Sequence, residues 1–388
     1  MRRRRTGTVA NRPKNDVYMN YQLKPALAAS ILVLVAARGH AGIPMGPYVT
    51  LSGFGTLGEV YSDYRKADFT ADFTQPTGAG YTRSWSPTPD SKLGVQVDVD
   101  LGHGLSGVAQ VVSDYRLDGT YRPGFEWANV KYAFTPDWAV RGGRMLLPTY
   151  EWSEGVNVGY TLPWVRIPNE IRFLNTATYL DGIDALYRLH TGAVTHSLQV
   201  QWGRSADEYP AVSFRNKDVL VITDSLQYGD TSVHLAYQAM NWAITYVQNP
   251  RPGPTGRFQL TGAGFTYDPG KWFVTGDSNY VQFDSNGDFV AWYLSGGVRL
   301  GPFTPYVMFS TMSSLTSAPR SGFKSPGDGH TVTAGVRWDF VKNVDLKLQL
   351  QRVSIETLTF PDEFTNLQPG VRVGDKADVA SLALDFVF

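Results

Sequence analysis

Two groups of charged side chains follow one another in the segment 131–154. Basic residues come first, at Lys131, Arg141 and Arg144, and acidic residues follow at Glu151 and Glu154. Opposed rows of fixed charge do no covalent chemistry, but they orient water and dipolar solutes, so polar molecules pass more easily than apolar ones. The pattern therefore predicts electrostatic filtering of solutes, if the fold holds the two rows face to face.

No group of residues has the spacing of a catalytic or metal site. The chain has no Cys and six scattered His, and it lacks a Gly-rich phosphate loop after a strand and a GxSxG turn. His196 and Ser197 are neighbours, but adjacent strand residues point to opposite faces and do not pair as base and nucleophile. We expect a protein that is not an enzyme and that uses no cofactor and no metal.

The first 41 residues have the three regions of a secretory signal peptide. Lys24 precedes an apolar run at 26–37, and Gly39 and Ala41 follow at the spacing that signal peptidase reads. The run has about 12 residues, whereas a membrane-spanning helix needs ~20. We predict cleavage after Ala41 and favour Met19 as the true start, because a conventional n-region begins there. A buried core helix is the alternative, but nothing amphipathic follows the run.

Removal of residues 1–41 makes the chain acidic. The full chain has 35 basic and 35 acidic side chains, and the segment carries eight basic residues and one acidic residue. The remaining 27 basic and 34 acidic residues give a net charge of −7. An acidic chain argues against nucleic-acid binding. We expect a signal peptide at 1–41 and a single domain at 42–388.

From Gly42 onward the hydrophobic pattern has period two, which indicates strands. Segments 92–101, 331–340 and 344–351 each have one apolar and one polar face. Turn-like segments alternate between short and long. The short ones lie at 102–104, 135–137, 190–194, 229–230, 268–270, 301–302 and 341–343. The long ones lie near 63–90, 115–125, 148–181, 204–216, 249–256, 284–288, 314–329 and 356–377.

Fifteen connections join sixteen strands, the first at about 48–61 and the last at 378–388. This even number, and connections that are short at one end and long at the other, predict an all-β fold: a transmembrane antiparallel β-barrel with short periplasmic turns and long external loops. A soluble β-sandwich is the alternative, but it gives no reason for this alternation. Aromatic residues also recur at strand ends, as in the girdles of membrane barrels: Tyr132, Phe134, Trp138, Tyr187, Trp272, Trp338, Phe386 and Phe388.

The final strand, DVASLALDFVF, carries a family resemblance. It places apolar residues at alternate positions and ends in Phe388, and so resembles the last strand of the general porins of Gram-negative bacteria. The segment LSGFGTLGEVY at 51–61 is similar to porin first strands. The resemblance implies an outer-membrane protein, exported through the Sec pathway, that forms a homotrimer. It also implies that the barrel-assembly machinery recognises the terminal Phe388.

A sixteen-stranded barrel is too wide to select solutes by itself, so an inserted loop must set the size limit. In porins the loop after the fifth strand folds into the lumen, and its carboxylates face Arg and Lys on the wall. Segment 148–181 follows the predicted fifth strand and is the longest loop. The resemblance implies wall residues Arg144, Arg141, Lys131, Arg116 and Lys92, and loop residues Glu151, Glu154, Glu170 and Asp184. The alternative for each charge is ordinary solvation in the lumen or at its rim.

The sequence thus predicts a water-filled channel in the outer-membrane lipid for passive diffusion of small hydrophilic solutes and ions. Three alternatives stay open: a substrate-specific channel for sugars or organic acids, a barrel enzyme such as a phospholipase, and an adhesive barrel with a plugged lumen. The first would use the rings that crowd the loop, whose other interpretation is apolar packing against the wall: Tyr150, Trp152, Tyr160, Trp164, Phe173 and Tyr179.

Overall fold

The computed structural model describes residues 42–388 apart from 73, 173–174, 176, 210–211, 248–249, 285–286, 316–328 and 356–362. The predicted signal peptide, its start at Met19 and the ring of Phe173 lie outside the described residues. So do most of the predicted loop 314–329 and the first seven residues of the predicted loop 356–377. Within the described ranges, no helix is both long enough and apolar enough to cross a membrane.

Sixteen antiparallel strands form one closed sheet. Successive strands pair along the chain, and the last strand pairs with the first from Val387↔Phe54 to Val379↔Ser62, which closes the barrel. The predicted antiparallel barrel is confirmed, and the sandwich alternative is wrong. The strands are β1 (Val49–Ser62), β2 (Lys92–Gly102), β3 (Leu105–Asp114), β4 (Gly124–Ala133), β5 (Trp138–Leu146), β6 (Tyr179–Thr191), β7 (Val194–Glu208), β8 (Val212–Tyr228), β9 (Thr231–Tyr246), β10 (Arg251–Tyr267), β11 (Trp272–Phe283), β12 (Gly287–Val298), β13 (Phe303–Ser314), β14 (Gly329–Val341), β15 (Val344–Ser354) and β16 (Lys376–Val387).

The other described elements are short and lie mainly in the connections. The β5–β6 connection contains two 3-10 turns, Ser153–Gly155 and Gly159–Thr161, and one helix, α1 (Asn169–Arg172). Phe364–Thr365 pairs with Asp68–Phe69, which pairs with Ala79–Gly80, in a separate small sheet. The remaining two-residue strands are Ile43–Pro44 and Trp85–Ser86.

The wall is apolar outside and largely polar inside, as the period-two pattern requires of a barrel whose interior is wet. On β15 the side chains of Lys347 and Gln349 are fully buried, whereas Leu348 and Leu350 on the other face are 46% and 55% exposed. Part of the inner surface is apolar instead. Strands β8 to β13 contribute buried aromatic and aliphatic side chains to it, among them Trp242, Phe258 and Tyr293.

The two ends of the barrel differ less than the sequence predicts. All seven short turns are present, and the connection 147–178 is long. However, segments predicted as loops at 204–216 and 249–256 are mostly strand, because β7 extends to Glu208, β8 begins at Val212 and β10 begins at Arg251. Strands β7 to β10 have 15 to 17 residues, more than the ~9–11 that cross a bilayer. The polar residues at these strand ends fit the pattern of a loop, but in the structure they continue the sheet.

Two glycines of β1 make room for the C-terminal aromatic residues. A Cβ at Gly53 would lie 2.3 Å from the ring of Phe388, and a Cβ at Gly55 would lie 2.5 Å from the ring of Phe386. The backbones of Gly53 and Phe388 also exchange two hydrogen bonds, of 3.0 and 2.9 Å. Phe386 is therefore buried against β1, unlike the exposed aromatic residues Trp138 and Trp338.

Candidate functional site

Two Arg–Asp pairs join β5 to β6, and the first faces inward. Arg141 lies directly opposite Asp184, and its Nε donates to Asp184 Oδ2 at 2.8 Å. The Asp184 side chain is fully buried and that of Arg141 is 17% exposed. Gln199 on β7 also donates to Asp184 Oδ2, at 2.9 Å. Asp184 was predicted on the loop, but it is a wall residue that neutralises Arg141.

The second pair faces the other way. Arg144 lies opposite Asp181 and donates to both of its carboxylate oxygens at 2.8 Å. Its guanidinium carbon lies 3.9 Å from the centre of the Tyr179 ring. Arg144 lies three positions after Arg141 in an unbroken register, so their side chains point to opposite faces. Arg144 shares its face with Ile183, which is 62% exposed, and the pore-wall role predicted for it does not fit this position.

The other predicted wall residues lie on the inner side or at the rim. Lys131 on β4 pairs with Arg141 in register and is exposed. Lys92 on β2 donates to the carbonyl of Val156 in the β5–β6 connection, at 3.4 Å. Arg116, just after β3, is held by Asp114 at 2.8 Å and by Glu126 at 3.2 Å.

The three predicted acids of the β5–β6 connection have different environments. Glu151 accepts a hydrogen bond from the Ser232 hydroxyl, and its N–H donates to Asp277 Oδ1 at 3.3 Å, so it is docked on the wall. Glu154, in the first 3-10 turn, is exposed and borders the same narrow cleft as Arg141. Glu170 in α1 is buried, and this burial raises the pKa of its carboxyl group. Only Glu154 presents its charge openly.

Apolar and aromatic side chains hold the connection against the inner surface of β11 and β12. Trp164 is fully buried, and its Nε1 donates to Ser295 Oγ at 2.8 Å. Its ring meets those of Trp152 and Tyr293 edge to face, at 5.6 and 5.5 Å between centres. Trp152 Nε1 donates to Thr275 Oγ1 at 3.3 Å.

Two basic residues hold the middle of the connection, and the sequence-based site prediction missed both. Arg337 on β14 donates to the carbonyls of Tyr160 and Leu162 at 2.7 and 3.1 Å. Lys347 on β15 donates to the carbonyl of Gly159 at 2.7 Å and to Asp385 Oδ2 at 2.8 Å. Both lie on the polar faces of strongly alternating strands. Their position on a polar face was the sequence signal that could have identified them, because a charge buried on the inner face needs a partner.

The two arginines of the connection are also neutralised. Arg166 is buried, and its Nε donates to Asp90 Oδ1 at 2.9 Å, while Nη2 donates to Ser381 Oγ at 2.6 Å. Arg172 Nη2 donates to Asp72 Oδ2 at 3.0 Å. Both act as links between residues 147–178 and the β1–β2 connection, and Arg166 also reaches β16.

Comparison with known proteins agrees with this architecture. Residues 26–358 match the family model described as Gram-negative porin. The chain belongs to the Gram-negative porin family. As a member of this family with a closed barrel, the porin is an outer-membrane channel. No curated protein matches its sequence.

Solved structures of outer-membrane proteins share the porin's fold. It is similar to the anion-selective porin from Comamonas acidovorans, with 15% identity, a TM-score of 0.58 and coverage of 88% of this chain and 99% of that one. It is also similar to the outer-membrane channel DcaP of Acinetobacter baumannii, with 13% identity, a TM-score of 0.59 and coverage of 90% and 100%. The trimer form of in-vitro folded OmpT of Vibrio cholerae matches with 12% identity, a TM-score of 0.56 and coverage of 88% and 100%.

The rings of the porin's β5–β6 connection mostly serve packing. Trp152 and Trp164 are packed on the wall, and the Tyr150 hydroxyl donates to the carbonyl of Ile171 at 3.1 Å. Tyr160 lies under the guanidinium of Arg337, 4.8 Å from ring centre to carbon. Tyr179 belongs to β6 and stacks on Arg144. Among the described residues, no group of three or more His, Asp or Glu side chains is arranged to hold a metal ion.

Proposed function

We propose that this porin passes small hydrophilic solutes and ions by passive diffusion, and that residues 147–178 fold into its lumen and narrow it. The contacts of Gly159, Tyr160 and Leu162 carry the proposal. The connection leaves β5 and enters β6 at the long-loop end, yet its middle binds Arg337 and Lys347, which lie four and three residues from the β14–β15 turn. A segment that is held so far inside the barrel occupies part of the lumen and leaves a narrower opening for solutes.

We propose that the narrowest part of the pore lies between the first 3-10 turn and the wall formed by β2 to β6. Glu154 supplies the open negative charge, and Lys131 the open positive charge. Lys92 supports the turn through Val156, and the Arg141–Asp184 pair contributes a dipole rather than a net charge. Such fixed charges in a water-filled constriction favour polar solutes over apolar ones of equal size.

The rings of Trp152, Trp164 and Tyr160 are packed against other residues. This packing favours passive diffusion rather than a substrate-specific channel that guides its solute along exposed rings. A substrate-specific channel that slides its solute along these rings needs their faces free, whereas Trp164 is fully buried. We also propose that the protein has no catalytic activity, because polar side chains of the inner wall are bound to residues 147–178.

The remaining proposals concern biogenesis and assembly. We propose export through the Sec pathway with cleavage after Ala41, which N-terminal sequencing of the mature protein tests. We also propose recognition of Phe388 by the barrel-assembly machinery, and a homotrimer, as in the trimer form of Vibrio cholerae OmpT. Native mass spectrometry of the detergent-extracted protein tests the trimer, and a monomeric mass would contradict it.

Single-channel recording in planar bilayers tests the function. We expect stable ion-conducting steps from the mature protein, and larger steps from a variant in which residues 157–162 are replaced by two glycines. Correctly folded protein without any conductance would overturn the channel proposal. Equal steps from both proteins would show that residues 147–178 do not narrow the pore.

A further inference from the structure

A cavity of about 520 Å³ lies at the long-loop end of β3 to β7. Residues 147–178 form another side of it, and Asp72 of the β1–β2 connection borders it. This volume lies within the range of small-molecule sites in proteins, ~300–1,000 Å³. Six carboxylates and four guanidinium groups line the cavity, so its lining has a net charge of −2.

The guanidinium groups that reach the cavity are mostly neutralised. Arg116 is held by Asp114 and Glu126, and Arg172 by Asp72. Arg144 reaches the edge of the cavity, but its Nε and Nη2 bind Asp181, and its Nη1 donates to the carbonyl of Phe125 at 3.4 Å. The remaining one, Arg122, is exposed at the rim.

Asp207 differs from Asp72, Asp114 and Glu126, the cavity carboxylates that are paired with arginine. It lies near the end of β7, is only 9% exposed and borders the cavity. Thr178, Ser205 and Asn216 each donate to it at 3.3 Å, and all three donors are neutral. Within the part of the chain that the structure describes, Asp207 makes no ion pair.

A buried carboxylate without a counter-charge is costly, because it has lost water and gained only long, uncharged hydrogen bonds. A cation in the adjacent cavity removes this cost. Leu147, Tyr150 and Ile167 add apolar surface to the cavity lining. The lining therefore matches a positive group that is joined to a small apolar body.

We propose that this cavity captures small solutes that carry an ammonium group, with Asp207 as the anionic anchor, before they enter the narrow part of the pore. The inference rests on the proposed diffusion function, and it adds a solute class and a binding site. Capture at the mouth raises the local concentration of such solutes at the constriction.

The test is single-channel recording with butylammonium chloride, sodium butyrate or 1-butanol added on the long-loop side. Wild-type protein is compared with Asp207→Asn and with Asp98→Asn. Asp98 is a matched control, because it also faces inward, on β2, and binds a neutral partner, Gln96, at 2.9 Å, but it does not line the cavity. Both substitutions remove one negative charge from the interior.

We expect butylammonium to reduce or interrupt the wild-type current, and the Asp207→Asn substitution to weaken this effect about tenfold, corresponding to ~1.4 kcal/mol. The Asp98→Asn protein should respond like wild type, and butyrate and butanol should have little effect. Equal responses of Asp207→Asn and wild type, or of Asp207→Asn and Asp98→Asn, would overturn the inference.

If Asp207→Asn does not fold, the comparison of butylammonium with butyrate on wild-type protein decides, since no preference for the cation overturns the site. The Ser205→Ala variant keeps the charge and should keep the amine effect. Absence of conductance in every protein would instead count against the proposed function itself.

Discussion

The two Arg–Asp pairs between β5 and β6 have the same chemistry and opposite environments. Arg141–Asp184 faces inward, with side chains 17% and 0% exposed, while Arg144–Asp181 faces outward, with side chains 30% and 40% exposed. The two arginines lie three positions apart on one strand, so the pleat alone decides which pair meets the lumen. The face of the wall, rather than residue type, therefore assigns a charge to the pore or to the barrel surface.

Arg141→Ala should have the largest effect, because it leaves the fully buried carboxylate of Asp184 without its cation. Removal of one partner of a buried pair costs about 3–5 kcal/mol. We therefore expect a lower unfolding temperature, measured from the heat-dependent shift in gel mobility. If the channel still inserts, its reversal potential in a salt gradient should move toward cation selectivity.

The double variant Arg141→Met with Asp184→Leu is the control for this prediction. Replacing both members of a buried pair by apolar residues is often neutral. The double variant should therefore regain most of the lost stability and lose the added cation preference. If it is as unstable as Arg141→Ala, the loss comes from packing rather than from the unpaired carboxylate.

Substitutions at two glutamates of the β5–β6 connection should have the next largest effect. Glu154 is exposed, whereas Glu151 is docked on Ser232. Glu154→Gln removes an open charge and should shift the permeability ratio away from cations. The shift should not exceed about fivefold, since two unit charges 4 Å apart in water interact by ~1 kcal/mol.

Glu151→Gln is the matched variant for Glu154→Gln, with the same chemical change three residues earlier. Its carboxylate is engaged with the wall, so we expect a smaller change in selectivity and more current noise from a less firmly docked connection. A larger selectivity shift from Glu151→Gln than from Glu154→Gln would mean that the pore passes on the Ser232 side. Reversal potentials recorded in the same salt gradient decide between them.

The sequence predicts the barrel well because its signal repeats in every strand. Period-two alternation in stretches such as 344–351 and the seven tight turns determine the strand number and order. Strand ends are less predictable, because polar residues such as those at 204–208 are compatible with both a loop and a strand that projects into water. The contacts of residues 147–178 depend on partners up to 215 positions away, as in Arg166 with Ser381.

The family resemblance implies a pore-wall role for Arg144, whereas the strand register places its side chain on the outer face. Gly142 and Gly143 stand between Arg141 and Arg144, so no side chain marks the alternation there. The odd spacing of the two arginines still implied opposite faces, provided that the strand had no bulge. The register confirms an unbroken pairing with β6 across all four residues.

Arg144→Ala should have the smallest effect of these substitutions, and it tests directly whether the outward-facing charge is separate from the pore. Its pair with Asp181 is partly exposed, and such pairs contribute at most ~1 kcal/mol. We expect an unchanged reversal potential and an unfolding temperature close to that of wild type, measured as for Arg141→Ala.

The matched change Asp181→Asn removes the partner from the same pair and should leave selectivity equally unaffected. Arg144 also reaches the edge of the cavity that Asp207 borders. A change in the response to butylammonium alone would therefore still agree with an outward-facing Arg144 side chain near the rim. A salt-gradient shift as large as that of Arg141→Ala would not. That result would mean that the Arg144 charge acts on permeating ions. The face of the strand would then not decide, near the long-loop end of β5, whether a charge belongs to the pore.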